Sequence, residues 1–255
     1  MSVVHAIIEV ERKGNPMSLT RSKDRKVTNA VSPNGKTPTI ANSFGLPAGK
    51  AFSCPGATSV CEKICYAGKL EKVYKGVRNI LVSNYEQLVN ADRLTMVALI
   101  DEMIQDFIAD CEKRNAEKLF RIHWDGDFFS EDYAIAWAMV IRMNPSVQFW
   151  VYTRSEFAVP HIVGIDNLAA YFSTDSANRA LGIKLKKQYG IKLAYLANTF
   201  AEGKADFAEI QDKSPIPCPE NNKKLPLISE KGSACVRCSQ CVFARNDILF
   251  SASKK

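Results

Sequence analysis

Residues 119–153, LFRIHWDGDFFSEDYAIAWAMVIRMNPSVQFWVYT, compress a strand, a helix and a second strand into one short unit. The β-rich run 119–124 reads as the first strand. Ser130 is suited to cap a helix, and Glu131 and Asp132 stand in its first turn, where the helix dipole favours acids. Asn144-Pro145 stops that helix, and 147–153 is the next strand. Downstream the order repeats: a strand over 168–173, a helix over 176–189 and a strand over 191–197. Such alternation argues for parallel strands joined by right-handed crossovers. The expected fold class is α/β, a partial (β/α) barrel or open parallel sheet with a C-terminal cysteine-rich extension.

Upstream, 93–113 is a strongly amphipathic helix and 76–90 a second one. Residues 37–44 read as a strand. Residues 3–10 (VVHAIIEV) read as another, followed to about residue 35 by a basic connector expected to be a surface loop or hairpin. The organisation expected is therefore 1–36 as strand and connector, 37–212 as the α/β domain, and 213–255 as a cluster-binding extension.

The chain has 255 residues, a hydrophobic fraction of 46% and a formal charge of +7. That is enough for one sizeable core. No apolar run approaches a membrane span, and the start MSVVHAIIEVERKGN lacks signal-peptide features, so a cytoplasmic location is expected. The basic balance admits nucleic acid as a minority partner. An unidentified small-molecule substrate or electron donor is the preferred one.

Eight cysteines in a reducing compartment point to metal or redox chemistry rather than disulfides. Cys111 shares a helical face with Val97, Ile100, Ile104, Phe107 and Ile108 and reads as a core residue. The other seven form two sets. Cys218, Cys235, Cys238 and Cys241 carry a C-x2-C-x2-C triplet of the kind that wraps a four-iron cubane, with Pro219 after the remote cysteine. Structural zinc is the alternative, although it favours paired knuckles with a longer spacer. Cys54, Cys61 and Cys65 are only three, spaced C-x6-C-x3-C. Three thiolates leave one metal position open, for substrate or for a fourth protein ligand such as His123.

In parallel α/β folds, sites collect at the C-terminal ends of strands. Those ends supply His123-Trp124-Asp125-Gly126-Asp127, Thr153-Arg154-Ser155, Ser173-Thr174-Asp175 and Asn198-Thr199, beside the Cys54 loop. His123, Asp125, Asp127 and Arg154 are the candidate catalytic groups, for proton transfer or as clamps for a cation or an anion. Each has a bland reading: a hydrogen-bonded core histidine, helix-entry aspartates and a surface ion pair. Tyr66, Asp125, Thr153 and Asn198 are candidate cofactor contacts. No phosphate loop, dinucleotide fingerprint or serine elbow is present.

The segments CPGATSVCEKICYAG, FRIHWDGDFFSEDY, VQFWVYTRS and CVRCSQC together resemble the gene product 88 family of phage and mobile-element proteins. The resemblance runs from about residue 42 to the C-terminus and implies a small cysteine-rich phage or plasmid protein. More distantly, the chain is similar to radical S-adenosylmethionine enzymes. That similarity implies a four-iron cluster on a three-cysteine loop, adenosylmethionine on its fourth iron, and an auxiliary cluster near the C-terminus. Tyr66 after Cys65 matches the aromatic of that loop. The spacing departs from the usual C-x3-C-x2-C, and a Gly-Gly-Glu motif is absent.

Overall fold

The structure, a computed structural model, describes residues 17–208, 210 and 214–253. The strand expected at 3–10 lies outside them. In chain order the elements are α1 (Ser59–Ile64), α2 (Tyr66–Val73), α3 (Lys75–Val89), α4 (Arg93–Lys113), β1 (Leu119–Ile122), α5 (Glu131–Met143), β2 (Gln148–Thr153) and β3 (Leu168–Thr174). Then follow α6 (Arg179–Tyr189), β4 (Lys192–Ala197), α7 (Phe200–Ala208), β5 (Ile216–Pro217), β6 (Ile228–Ser229), β7 (Gly232–Ser233), α8 (Ala234–Cys238) and β8 (Ile248–Ser251).

Six strands form one sheet in the order β1-β2-β3-β4-β8-β5, and every pairing in it is parallel. Sequential order with right-handed crossovers places the connecting helices on one face. The strands alternate accordingly. Phe120, Ile122, Phe149, Val151, Leu168, Phe172, Leu193, Tyr195 and Leu249 join the helix-side core. Trp150, Ala169, Tyr171, Ala194 and Ile248 face the other way. Burying each large side chain stabilises the fold by roughly 1.5–3 kcal/mol.

The helix ends follow local chemistry. Ser130 accepts the Tyr133 N–H to start α5, and Asp92 accepts that of Thr95 to start α4. Cys111 is buried on α4 with Val97, Ile100, Ile104 and Phe107, as its periodicity suggests.

Of the two expected forms the open parallel sheet is the one found, with β1 and β5 at opposite edges. Two expectations need correction. Residues 37–44 form isolated bridges rather than a strand, Val31 with Pro38 and Ser43 with both Ser22 and Arg121. The basic connector is not a plain surface loop. Val27 is buried against Trp150 and Ala169, because the face opposite the helices has to be covered by something apolar.

The segment after residue 214 is likewise built into the sheet rather than appended to it. It contributes β5 and β8, and its cysteines pack beneath the strands. Among the described residues no helix is long and apolar enough to cross a membrane.

Candidate functional site

Residues 42–46 run parallel to β1. The Arg121 N–H donates to the Asn42 carbonyl (3.1 Å), and the Phe44 N–H to that of Arg121 (3.1 Å). A regular ladder would continue at residue 123, but the Trp124 N–H donates to Phe44 instead (2.9 Å). His123 occupies the left-handed region (φ 57) at this skip, which ends β1 after Ile122. A non-glycine residue there is uncommon and marks a constrained turn.

The skip sets the directions of the next side chains. His123 turns to the helix side, where its Nε2 lies 2.9 Å from the Tyr133 hydroxyl and its ring stands edge-on to Phe128 at 4.8 Å. Its Nδ1 is buried without a partner, and burial lowers its pKa to about 3. As placed, this is a neutral, buried histidine with Nε2 turned to Tyr133.

Asp127 receives three donors: the Thr153 hydroxyl and the Phe128 N–H on one oxygen and the Arg154 N–H on the other, each at 2.7 Å. Burial nevertheless pushes its pKa up to about 6. Gly126 makes the approach possible. Its φ is 77°, and a Cβ there would sit 2.5 Å from the Ser53 hydroxyl and 2.7 Å from the Leu46 carbonyl. Ser53 in turn accepts the Asp127 N–H (3.3 Å) and donates to the Pro47 carbonyl (2.7 Å). Asp127 and Thr153 thus lock the ends of β1 and β2 to the Cys54 loop. Thr153 is engaged in that lock and is not free for a cofactor.

Arg154 leaves the end of β2 and pairs with Asp175 beyond the end of β3 (2.7 Å), both buried. Asp175 also accepts from the Thr58 hydroxyl (2.6 Å), and Thr58 caps α1 through the Cys61 N–H. Arg154 is therefore spoken for internally, and by a buried carboxylate rather than a surface one.

Asp125 is different. One of its oxygens accepts the Gly126 N–H, and the other is buried without a hydrogen-bond donor. Burial and the neighbouring Glu71 carboxyl push its pKa up to about 8. Glu71 is the inward residue of α2 and accepts the Ala48 N–H (2.8 Å). A carboxylate beside a buried carboxyl disfavours its ionisation, which adds to the effect of burial on Asp125.

The first cysteines lie over this network. Cys54 is held by its N–H to the Gly49 carbonyl, Cys61 sits in the first turn of α1, and the Cys65 sulfur accepts the Gly68 N–H (3.3 Å) to cap α2. All three are partly exposed and free of disulfides. Burial pushes the Cys54 thiol up to about 12, with the Asp127 charge adding to it. The exposed Tyr66 follows Cys65 and donates to the Trp124 carbonyl (3.2 Å). Asn198 is exposed at the end of β4, and no hydrogen bond from its side chain ties it to this loop.

The second set sits beneath the sheet. Cys218, Cys235, Cys238 and Cys241, with Pro219, Glu220, Ala234, Gln240 and Ile248, line one small cavity of about 20 Å³. The Cys218 sulfur faces the backbone N–H groups of Glu220 and Asn221, and the Tyr152 hydroxyl donates to Cys241. Burial pushes the Cys241 thiol up to about 12 and raises that of Cys235 well above its ordinary value.

Between the sets, Arg121 pairs with Asp24 (2.7 Å) and lies over the Tyr152 ring at 5.7 Å. Lys26 sits 5.9 Å from the Tyr66 ring centroid, while its carbonyl accepts the Cys235 N–H (2.9 Å). Among the described residues, no three His, Cys, Asp or Glu side chains are grouped closely enough to bind a single metal ion.

Sequence reasoning missed Glu71, Asp175, Asp24, Arg121 and Tyr152. Asp175 stood in the row of strand ends and could have been found there. Glu71 is hidden in a lysine-rich helix, and Asp24 in the connector.

No solved structure matches this chain. The gene product 88 family model matches residues 17–244. The Gene 88 protein of Mycobacterium phage L5 is 52% identical over 242 residues, covering 93% of this chain and 99% of its own. That of Mycobacterium phage D29 is 51% identical over 244 residues, with the same coverage. The match takes in both cysteine sets up to Cys241 and the strand ends between them, and the chain belongs to the gene product 88 family.

Proposed function

We propose that this protein is an iron–sulfur redox enzyme with two centres: a closed four-iron cluster on Cys218, Cys235, Cys238 and Cys241, and an open-site cluster on Cys54, Cys61 and Cys65. The observation that carries the reading is the convergence of four free cysteines, from segments seventeen residues apart (218 to 235), on one small cavity. Backbone N–H groups aimed at the Cys218 sulfur and a hydroxyl aimed at Cys241 are the contacts that thiolate ligands of a cluster receive.

The open position of the first set is where a substrate or adenosylmethionine would bind. A bound cluster would supply one-electron chemistry there. The chain's own part is positioning. Asp127, Ser53, Thr58 and Asp175 hold the loop in one conformation. Asp125, with its pKa raised to about 8, would hold a proton on the same network. A radical-type reaction at that site belongs to the same proposal. It draws on the sequential parallel strands and on a cysteine loop leaving the edge beside β1.

Anaerobic purification with iron, sulfide and zinc counts tests the reading. About eight irons and eight sulfides per chain are expected, falling to about four when Cys235 and Cys238 are changed to Ser. Adenosylmethionine should perturb the paramagnetic spectrum of the reduced first centre. Stoichiometric zinc without labile sulfide would end the proposal. A non-catalytic role in nucleic-acid binding would instead show as DNA or RNA affinity falling steeply with salt in a cluster-free preparation.

A further inference from the structure

Helix α2 begins directly after Cys65 and touches the rest of the protein along one narrow line. Its buried residues are Ala67 and Glu71, one turn apart. Tyr66, Leu70 and Val73, at i, i+4 and i+7, form a separate stripe that stands in solvent, with Val73 69% exposed. Tyr74 continues the apolar surface and is 56% exposed. An apolar stripe of this size on a soluble protein marks a contact surface.

The charge around it has one sign. Lys63, Lys69, Lys72, Lys75 and Arg78 are all exposed. Two acids lie between residues 62 and 78. Glu62 is exposed at the far end, and Glu71 is turned inward to Asp125 and the Ala48 N–H. The surface is thus an apolar centre with a basic rim, the composition of a protein-docking patch rather than of a solvated helix.

Its occupant can be chosen. A second copy of this chain is disfavoured, since each copy carries a formal charge of +7. A nucleic-acid strand would use the lysines but leave Leu70 and Val73 wet, and single-strand readers stack bases on aromatics. Of the two tyrosines here, Tyr66 is committed by its hydroxyl to Trp124 and by its ring to Lys26.

We infer that the α2 face is the docking surface for an acidic protein with an apolar contact centre, and that this partner is the electron donor to the adjoining Cys54/Cys61/Cys65 centre. The second half rests on the iron–sulfur reading proposed above; the docking half stands on the surface alone.

The test uses the full chain and, as probe, a purified acidic [2Fe–2S] ferredoxin immobilised for binding measurements. Binding should weaken steeply with salt, and should weaken at least tenfold in the triple variant Lys69→Glu, Lys72→Glu, Lys75→Glu. Leu70→Ser with Val73→Ser should weaken it several-fold without changing the salt slope. Where the iron centre is present, the triple variant should be reduced at least tenfold more slowly by reduced ferredoxin and at an unchanged rate by dithionite.

No salt-dependent binding, or equal binding by the triple variant, overturns the docking surface. So does a single-stranded oligonucleotide binding at this face in place of the protein, or self-association lost in the same variant. If no iron is present, the redox reading fails while the binding arm still decides the surface. Binding lost with equal reduction rates would keep the partner and remove its role as donor.

Discussion

The two cysteine sets are held by opposite means. The N-terminal loop is fixed by charge and hydrogen bonds. Ser53 and Asp127 tie it to β1 and β2, and Thr58 ties it to the buried Arg154–Asp175 pair. The C-terminal set is fixed largely by apolar packing. Cys235 and Cys241 lie against Trp150, Tyr152, Tyr171 and Ile248 under the sheet. Hydrogen bonds are directional and steep in distance, so a polar framework holds a partly exposed loop in one geometry. Packing needs no such aim, and it excludes water from a closed centre. The contrast matches a reacting site at the strand ends and a shielded one beneath them.

The largest expected effect tests the polar framework. Arg154→Met keeps an unbranched apolar stem but leaves the Asp175 carboxylate buried without its cation. Breaking a buried pair this way costs about 3–5 kcal/mol, to be read from the urea midpoint. The damage should concentrate on the Cys54 loop, seen as faster alkylation of Cys54 and Cys61, with Cys235 and Cys241 still protected. Equal exposure of both sets would break the comparison.

The second prediction concerns pH. The folded pKa of Asp125 is raised to about 8 from 3.8. The folded state therefore binds a proton that the unfolded state has lost, and this contribution declines as pH rises toward 8. His123 and Asp127 add no slope above about pH 6.5. His123 has its folded pKa lowered to about 3 from 6.5, and Asp127 has its own raised only to about 6. From pH 6.5 to 8 stability should fall by no more than about 2 kcal/mol, at 1.36 kcal/mol for each unit. Asp125→Asn should flatten that slope, and Asp127→Asn should not. A slope unchanged in Asp125→Asn would remove the raised pKa of Asp125 as its source.

Much of the fold was legible. The β-rich runs at β1 to β4, the Ser130 cap and the Asn144-Pro145 stop are local signals, and each lies where the sequence put it to within three residues. Grouping Asp127, Thr153 and Arg154 at the strand ends was also legible, because parallel topology fixes that geometry. Their roles were not. Whether Arg154 meets a ligand or Asp175, and whether His123 turns to Tyr133, depends on single torsions such as the positive φ at residue 123. The connector was misread because Val27 and Asp24 act only once the sheet face exists to receive them. A sheet edge, likewise, has no signature in periodicity, so partial barrel and open sheet stayed alternatives until the strand order was known.

The smallest expected effect examines the apolar side of the comparison. Tyr152→Phe keeps a ring under Arg121 and its neighbours Tyr171 and Phe250, and removes only the hydroxyl that donates to Cys241. A stability loss of about 1 kcal/mol is expected, one hydrogen bond's net worth. Packing supplies the rest of the support and is untouched. If Cys241 ligates the proposed cluster, a donor on its sulfur would stabilise the more negative, reduced state, and loss of that donor should move the midpoint of that centre to a lower potential. The first centre should keep its own midpoint, because none of its three cysteines is hydrogen-bonded to Tyr152 in the contacts described. A loss approaching that of Arg154→Met would mean that the second set also depends on a polar framework.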